Sequence, residues 1–288
     1  MKAIVIYEPG GSEQLRCTDI PVPACKPGWS LVKVKGFGIN RSEIFTRKGY
    51  SPSVRFPRVP GIECVGQIAQ SERFAQGQTI VSIMGEMGRA YDGSYAEYVL
   101  LPDAQIYPVE SKLSWADLAA VPETYYTAFG SLKNLRVTVE DSVLVRGASS
   151  ATGIAFVRLL RARYPHISIA GSTLEPSKTE LLLSQGYDEI VLDEQNRLQT
   201  ERSYNKLLEL VGPASLKDSL QHLNEGGIVC STGQLGHKWY LEEFDPIMEL
   251  KNNVYLTTFY SGNVPQRAFC QVPFLIYCFS NHYIQLAL

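Results

Sequence analysis

The chain has 288 residues, 45% of them hydrophobic and 19% charged, the proportions of a globular protein long enough for about two domains. A net charge of -2 supplies no basic field for nucleic acid or an anionic membrane surface, so a small molecule is the default partner. Six cysteines, at positions 17, 25, 64, 230, 270 and 278 and without a Cys-x-x-Cys pair, read as reduced thiols of a cytoplasmic protein, not as a secreted disulfide framework.

From the N-terminus, MKAIVIYEPGG alternates and then turns, with no apolar run ahead of a small-residue cleavage site. Short strand patterns follow one another to about residue 110: Lys2 to Tyr7, Leu31 to Phe37, Cys64 to Ala69, Thr79 to Met84 and Ser94 to Leu101. Pro and Gly punctuate them, as in a small β-barrel. From Val143 the texture changes. VLVRG, ISIAGS, EIVLD, KLLELVG, GGIVCSTG and VYLTTFY are six apolar strand candidates alternating with helical patterns, which predicts an α/β domain with a doubly wound parallel sheet. The last 28 residues, 261–288, carry Arg267 as their one charged side chain and show no clear period; they read as a buried strap or a partner-covered tail. The longest late apolar run, Phe274 to Phe279, is far short of the roughly 20 residues of a membrane helix.

Between the first two of these strands lies VLVRGASSATGIAFVRLLRARYP, a strand, a tight loop and a helix ending before Pro165. This is the setting of a dinucleotide fingerprint, in which amides at a helix N-terminus approach a pyrophosphate. Only Gly147 and Gly153 of the usual glycines are present; Ala148, Ser149, Ser150, Ala151 and Thr152 fill the rest. Small side chains still permit close approach, and the hydroxyls of Ser149, Ser150 and Thr152 offer donors. As a bare motif the segment is equally a strand, turn and helix packed with small residues. The next strand ends in Ser172 and Thr173, where an NAD site would place an acid for the ribose 2'-hydroxyl, and Lys178 follows one turn later. NADP(H) is therefore favoured over NAD. Lys178 is also readable as a solvated helix residue, and Glu175 and Asp193 weigh against an anion there.

In their order and spacing, MKAIVIYEPGG, GFGINRSEIFTRKGY, PRVPGIECVGQI, DGSYAEYVLLP, AAVPETYYTAFGSL, GASSATG and GGIVCSTGQLG make the chain similar to the medium-chain dehydrogenase/reductase superfamily. Within it the chain resembles the zinc-free quinone oxidoreductase-like group. The likeness runs from Met1 to about Tyr260. It implies a GroES-like β-barrel substrate domain over residues 1–112, a Rossmann NADP(H)-binding domain over 113–260 with the active site in the cleft between them, and an atypical tail over 261–288. Zinc relatives carry Cys in a GICGxD-like segment and His in a GHE segment. Here Asn40 and Ile62 stand in those places, no cysteine lies between Cys64 and Cys230, and the four histidines lack ligand spacing, so no metal is expected. Cys64 reads as core, and Arg41 with Glu43 as a surface pair.

The resemblance further implies that Asn40 and Thr127 meet the nicotinamide and that Gly233, Gln234 and Leu235 line its ribose. Tyr50 stands where related reductases have a substrate-facing tyrosine; an aromatic packed under a Pro-rich loop is the plainer reading. Where relatives meet the 2'-phosphate with Gly, Lys and Tyr, the chain has Leu174, Lys178 and Asp193. Relatives also continue past the sixth strand with a helix and a closing strand that the tail does not resemble, as an altered or frame-shifted end would look. The expected chemistry is hydride transfer from NADPH to a quinone or an activated enone. A catalytically weak nucleotide-binding protein, acting as redox sensor or interaction module, is the alternative. VYLTTFY, 254–260, has the composition of an edge strand that pairs with its copy in a homodimer.

Overall fold

A computed structural model describes residues 1–263; the expected tail lies, from residue 264 on, outside the described residues. The chain divides into two compact units, Met1–Tyr126 with the segment from Ser261, and Thr127–Tyr260. The first unit contains β1 (Lys2–Val5), β2 (Arg16–Asp19), β3 (Trp29–Gly36), α1 (Arg41–Arg47), β4 (Glu63–Gln70), β5 (Thr79–Ile83), β6 (Tyr98–Pro102), β7 (Tyr107–Pro108) and α2 (Trp115–Ala119). Helix α3 (Pro122–Leu135) begins in it and runs on into the second.

β6, β3, β4, β5 and β7 form an antiparallel sheet in that order, and β1 pairs with β2 as a separate ribbon. The central strands are buried at most positions, β5 at all but its first residue. Val32, Cys64, Ile68, Ile80, Val99 and Leu101 point into one core, and Val65, Val81 and Ile83, at the alternate positions, are buried as well. The Cys64 thiol is fully buried there; burial and the neighbouring Glu63 hold it protonated. The pattern at Ser94 to Leu101 becomes a strand only from Tyr98: Gly93 and Tyr95 spend their amides on Val59 and Pro60 carbonyls, and Ala96 makes a single bridge to Ala3.

The second unit carries β8 (Ser142–Arg146), α4 (Ala151–Arg163), β9 (Ser168–Thr173), α5 (Thr179–Ser184), β10 (Glu189–Glu194), β11 (Arg197–Leu198), β12 (Tyr204–Glu209), α6 (Leu216–Gln221), β13 (Leu223–Ser231), α7 (Pro246–Glu249) and β14 (Tyr255–Thr258). Its sheet runs β11-β10-β9-β8-β12-β13-β14. The six strands from β10 to β14 are parallel and stand in the order of a doubly wound nucleotide-binding domain, with the reversal of winding beside β8. Antiparallel β11 closes the β10 margin. Leu144, Ala170, Leu207, Leu220 and Val229 belong to one buried cluster, as the near-continuous apolar runs require of strands covered on both faces. Among the described residues no helix is long and apolar enough to cross a membrane, and Cys17, Cys25, Cys64 and Cys230 are free thiols.

Candidate functional site

The segment after β8 takes its shape from three local devices. Gly147 turns with φ +84°, a conformation that costs a residue with a Cβ dearly. Ser150 caps α4: its Oγ accepts the Gly153 N–H at 3.1 Å and donates to the Gly147 carbonyl at 2.9 Å. Gly153 sits where a Cβ would come within 2.7 Å of the Ala148 carbonyl oxygen, so the first turn can lie against the strand end. Behind it, Ala155, Phe156, Leu159 and Leu160 bury one face of the helix, and Arg161 and Arg163 close its last turn.

With Gly153 capped, the first-turn amides of Ala151 and Thr152 have no acceptor inside the helix and point with the positive end of its dipole. The loop thus fits an anionic pyrophosphate. The Ser150 hydroxyl, expected as a ligand donor, is instead spent within the loop. Ser172 fixes the other side, accepting the Gly147 N–H on Oγ at 3.2 Å and the Ala148 N–H on its carbonyl at 3.0 Å. Thr173 is buried and takes the Glu175 N–H at 3.1 Å. After β13, Leu235 donates its N–H to the Leu210 carbonyl, and its side chain stands 3.2 Å from where a Cβ of residue 147 would be. Gly233 packs on Leu210 as well. The fold therefore brings Gly147, Ser172, Thr173 and the Gly233–Gln234–Leu235 turn to one end of the sheet, beside its switch point.

Two charged residues of this region differ from expectation. Lys178 is not a lone cation: its Nζ pairs with Glu175 Oε1 at 2.7 Å. Asp193 does not face an incoming anion. It is buried and forked to Arg146, whose Nε and Nη2 reach its two oxygens at 2.7 and 3.0 Å. Arg146, the charge inside VLVRG, is fully buried and also donates to Asp218 at 2.7 Å, to Ser219 Oγ and to the Ser215 carbonyl. Burial works against its charge, but Asp193, Glu209 and Asp218 more than offset it and hold the guanidinium protonated. Glu209 in turn accepts the amides of Val211 and Gly212 and the Ser219 hydroxyl. The network ties the last residues of β8, β10 and β12 to α6.

In the first unit Asn40 precedes α1 and forms a capping box with Glu43. Glu43 is not the surface partner of Arg41 that the local sequence suggests. It is 6% exposed and receives the Asn40 N–H at 2.8 Å, the Ile62 N–H at 3.1 Å and the Tyr95 hydroxyl. Burial raises its pKa, and those hydrogen bonds pull it back. Asn40 Nδ2 donates to Glu63 Oε1 at 2.7 Å. Glu63, unmarked by the sequence reading, is fully enclosed; burial and then the charge of Glu123 push its carboxyl up to about 8. A carboxylate opening the apolar run ECVGQIA was the available signal. Tyr50 is 61% exposed, so it does not pack under the Pro-rich loop. Thr127, on α3, is half-buried and accepts the Ser131 hydroxyl on its carbonyl at 2.8 Å; Ser131 in turn meets Thr232 at 2.9 Å. Ile62 is buried and apolar, and among the described residues no group of three or more His, Cys, Asp or Glu side chains could hold a metal ion.

The alcohol dehydrogenase GroES-like domain matches residues 26–111. The quinone oxidoreductase of Homo sapiens is 30% identical over 252 residues, covering 82% of this chain and 74% of the relative. Among solved structures, the quinone oxidoreductase from Thermus thermophilus, solved alone and with NADPH, superposes with a TM-score of 0.76 at 24% identity, covering 96% of this chain and 86% of that one. The Bacillus subtilis protein yhfP with NAD bound gives 0.80 at 23% identity, over 94% of this chain and 85% of that one.

Proposed function

The chain belongs to the medium-chain dehydrogenase/reductase superfamily, in its quinone oxidoreductase-like group, and we propose that it is a zinc-independent NADP(H)-dependent oxidoreductase that reduces a quinone or an activated enone. The observation that carries this reading is the capped strand-loop-helix from Arg146 to Gly153, with two uncommitted first-turn amides beside the switch point of the sheet. Bound NADPH supplies the hydride. Gly147 to Gly153 hold its pyrophosphate through the Ala151 and Thr152 amides, with Ala148 and Ser149 giving close approach. Ser172, Thr173 and Lys178 take the adenosine ribose and its 2'-phosphate, for which Lys178 exchanges Glu175. Gly233, Gln234 and Leu235 line the nicotinamide ribose, and Asn40 and Thr127 are assigned to the nicotinamide. Tyr50, with its phenol in solvent, donates a hydrogen bond to the oxyanion that forms on the substrate. Asn40 and Ile62, where zinc relatives have Cys and His, support chemistry without a metal, and positioning then provides most of the rate.

Titration of the protein with NADPH and with NADH, read by nicotinamide fluorescence, followed by turnover with ortho-quinones, para-quinones and short enones, tests the proposal. Tighter binding of NADPH and reduction of one substrate class are expected. Failure to bind either nucleotide at millimolar concentration sinks it, and binding without turnover would favour the sensor or interaction module. We further propose a cytoplasmic homodimer through the 254–260 edge. Tyr255 and Leu256 support it, being 55% and 45% exposed on a strand at the sheet margin. Light scattering at several concentrations checks it.

A further inference from the structure

Behind Asn40 lies a group of carboxyls that the proposed chemistry leaves unused. Glu63 opens β4, and its two oxygens have separate duties: Oε1 accepts the Asn40 Nδ2–H at 2.7 Å and Oε2 accepts the Glu123 N–H at 2.8 Å. Oε1 also fills the space a Cβ would need at residue 38, so the absence of a side chain at Gly38 is what admits the carboxyl. The titratable groups acting on it are Glu123 from α3, Glu43 from α1, Tyr95 and the adjacent Cys64; Arg89 is the cation that acts on Glu43.

We propose that Glu63 is a positioning residue for Asn40, whose ionised carboxylate holds the Asn40 amide in the orientation that meets the nicotinamide and whose protonation loosens that hold. The inference rests on the reading that Asn40 contacts the cofactor. Its physical basis is donor matching. An ionised carboxylate is acceptor only, and each oxygen here faces one N–H. A protonated carboxyl carries an O–H and no charge, so both hydrogen bonds lose their charge assistance and the one from Asn40 weakens. Burial first, and the Glu123 charge second, oppose ionisation, while the Asn40 and Glu123 hydrogen bonds favour it. The balance falls at about 8, so the hold on Asn40 tightens as pH rises through that value.

The test begins without cofactor. The Asn40 side-chain amide is followed by NMR from pH 6.5 to 9.5, its signal identified by its loss in Asn40→Asp. In the wild-type protein it should move with an inflection near 8, in Glu63→Gln it should not move, and in Glu123→Gln the inflection should fall, because a like charge is gone. NADPH affinity should rise with the same inflection by about fivefold, the worth of one hydrogen bond, and be independent of pH over that step in Glu63→Gln. A wild-type signal that stays put, or one that moves equally in Glu63→Gln, overturns the assignment, as does a binding profile identical in both proteins. Should Glu63→Gln fail to fold, Glu123→Gln decides alone: an unchanged inflection overturns the proposal. If the Asn40 signal titrates with Glu63 but neither NADPH nor NADH binds, the functional reading falls while the coupling of Glu63 to Asn40 is upheld.

Discussion

In the second unit Asp193, Glu209 and Asp218 gather around one buried guanidinium, that of Arg146. In the first, Glu43 and Glu63 sink beneath the start of α1, and their hydrogen bonds come from backbone amides, an asparagine and a phenol. The sheet ends of the second unit are stitched by opposite charges around a guanidinium that stays protonated, so the nucleotide loop rests on a cross-braced support. The carboxyls around Asn40 have no buried guanidinium at their centre: Arg89 acts on Glu43, while burial and the Glu123 charge carry Glu63 up to about 8. One cluster is organised around a cation and the other around neutral donors.

The largest expected effect tests the stitched side. Arg146→Met leaves Asp193 and Glu209 buried without their cation and should cost about 3–5 kcal/mol in urea unfolding. Adding Asp193→Asn and Glu209→Gln should restore much of that loss; a cost under about 1 kcal/mol for the single change would erase the contrast. The responsive side comes next. Because the folded-state pKa of Glu63 is raised, it adds stability that is full below its unfolded value, 4.5, and is lost as pH rises through about 8. Between pH 6.5 and 9 that amounts to about 2 kcal/mol, which thermal melts should show in the wild-type protein and not in Glu63→Gln. Ser150→Ala removes the α4 cap and should cost about 1 kcal/mol with no pH dependence, measured by the same melts. Smallest is the exposed Lys178–Glu175 pair, where water does the work of a partner: Glu175→Gln should change stability by less than about 0.5 kcal/mol. The same variant should raise the preference for NADPH over NADH in fluorescence titrations, since Lys178 is released.

The six long strands of the second unit were legible because each is a continuous apolar run, and the loop between β8 and α4 because Gly147, Ser150 and Pro165 mark its turn, its cap and the helix end. The short strands β2, β7 and β11 were not; RCTD and two-residue pieces carry no period, and only their partners make them strands. Charge was the least legible. Arg146 was absorbed into an apolar run, and Asp193 read as an acid that weighs against an anion, because each is explained by the other across 47 residues. Glu43 has Arg41 two positions away in sequence, yet its partners include Ile62 and Tyr95. Asn40 could be singled out, but the carboxyl that orients it stands 23 residues on. Local pattern reports hydrophobic period well and pairing between distant polar groups poorly.

Among the described residues the two margins of the seven-stranded sheet are unequal, since the two-residue β11 runs antiparallel at one of them and the parallel β14 stands at the other. A sheet that pairs through its β14 margin alone has a valence of one. Were two copies to meet there about a two-fold axis, each would consume the other's free margin, and growth would stop at a pair instead of continuing as a fibre.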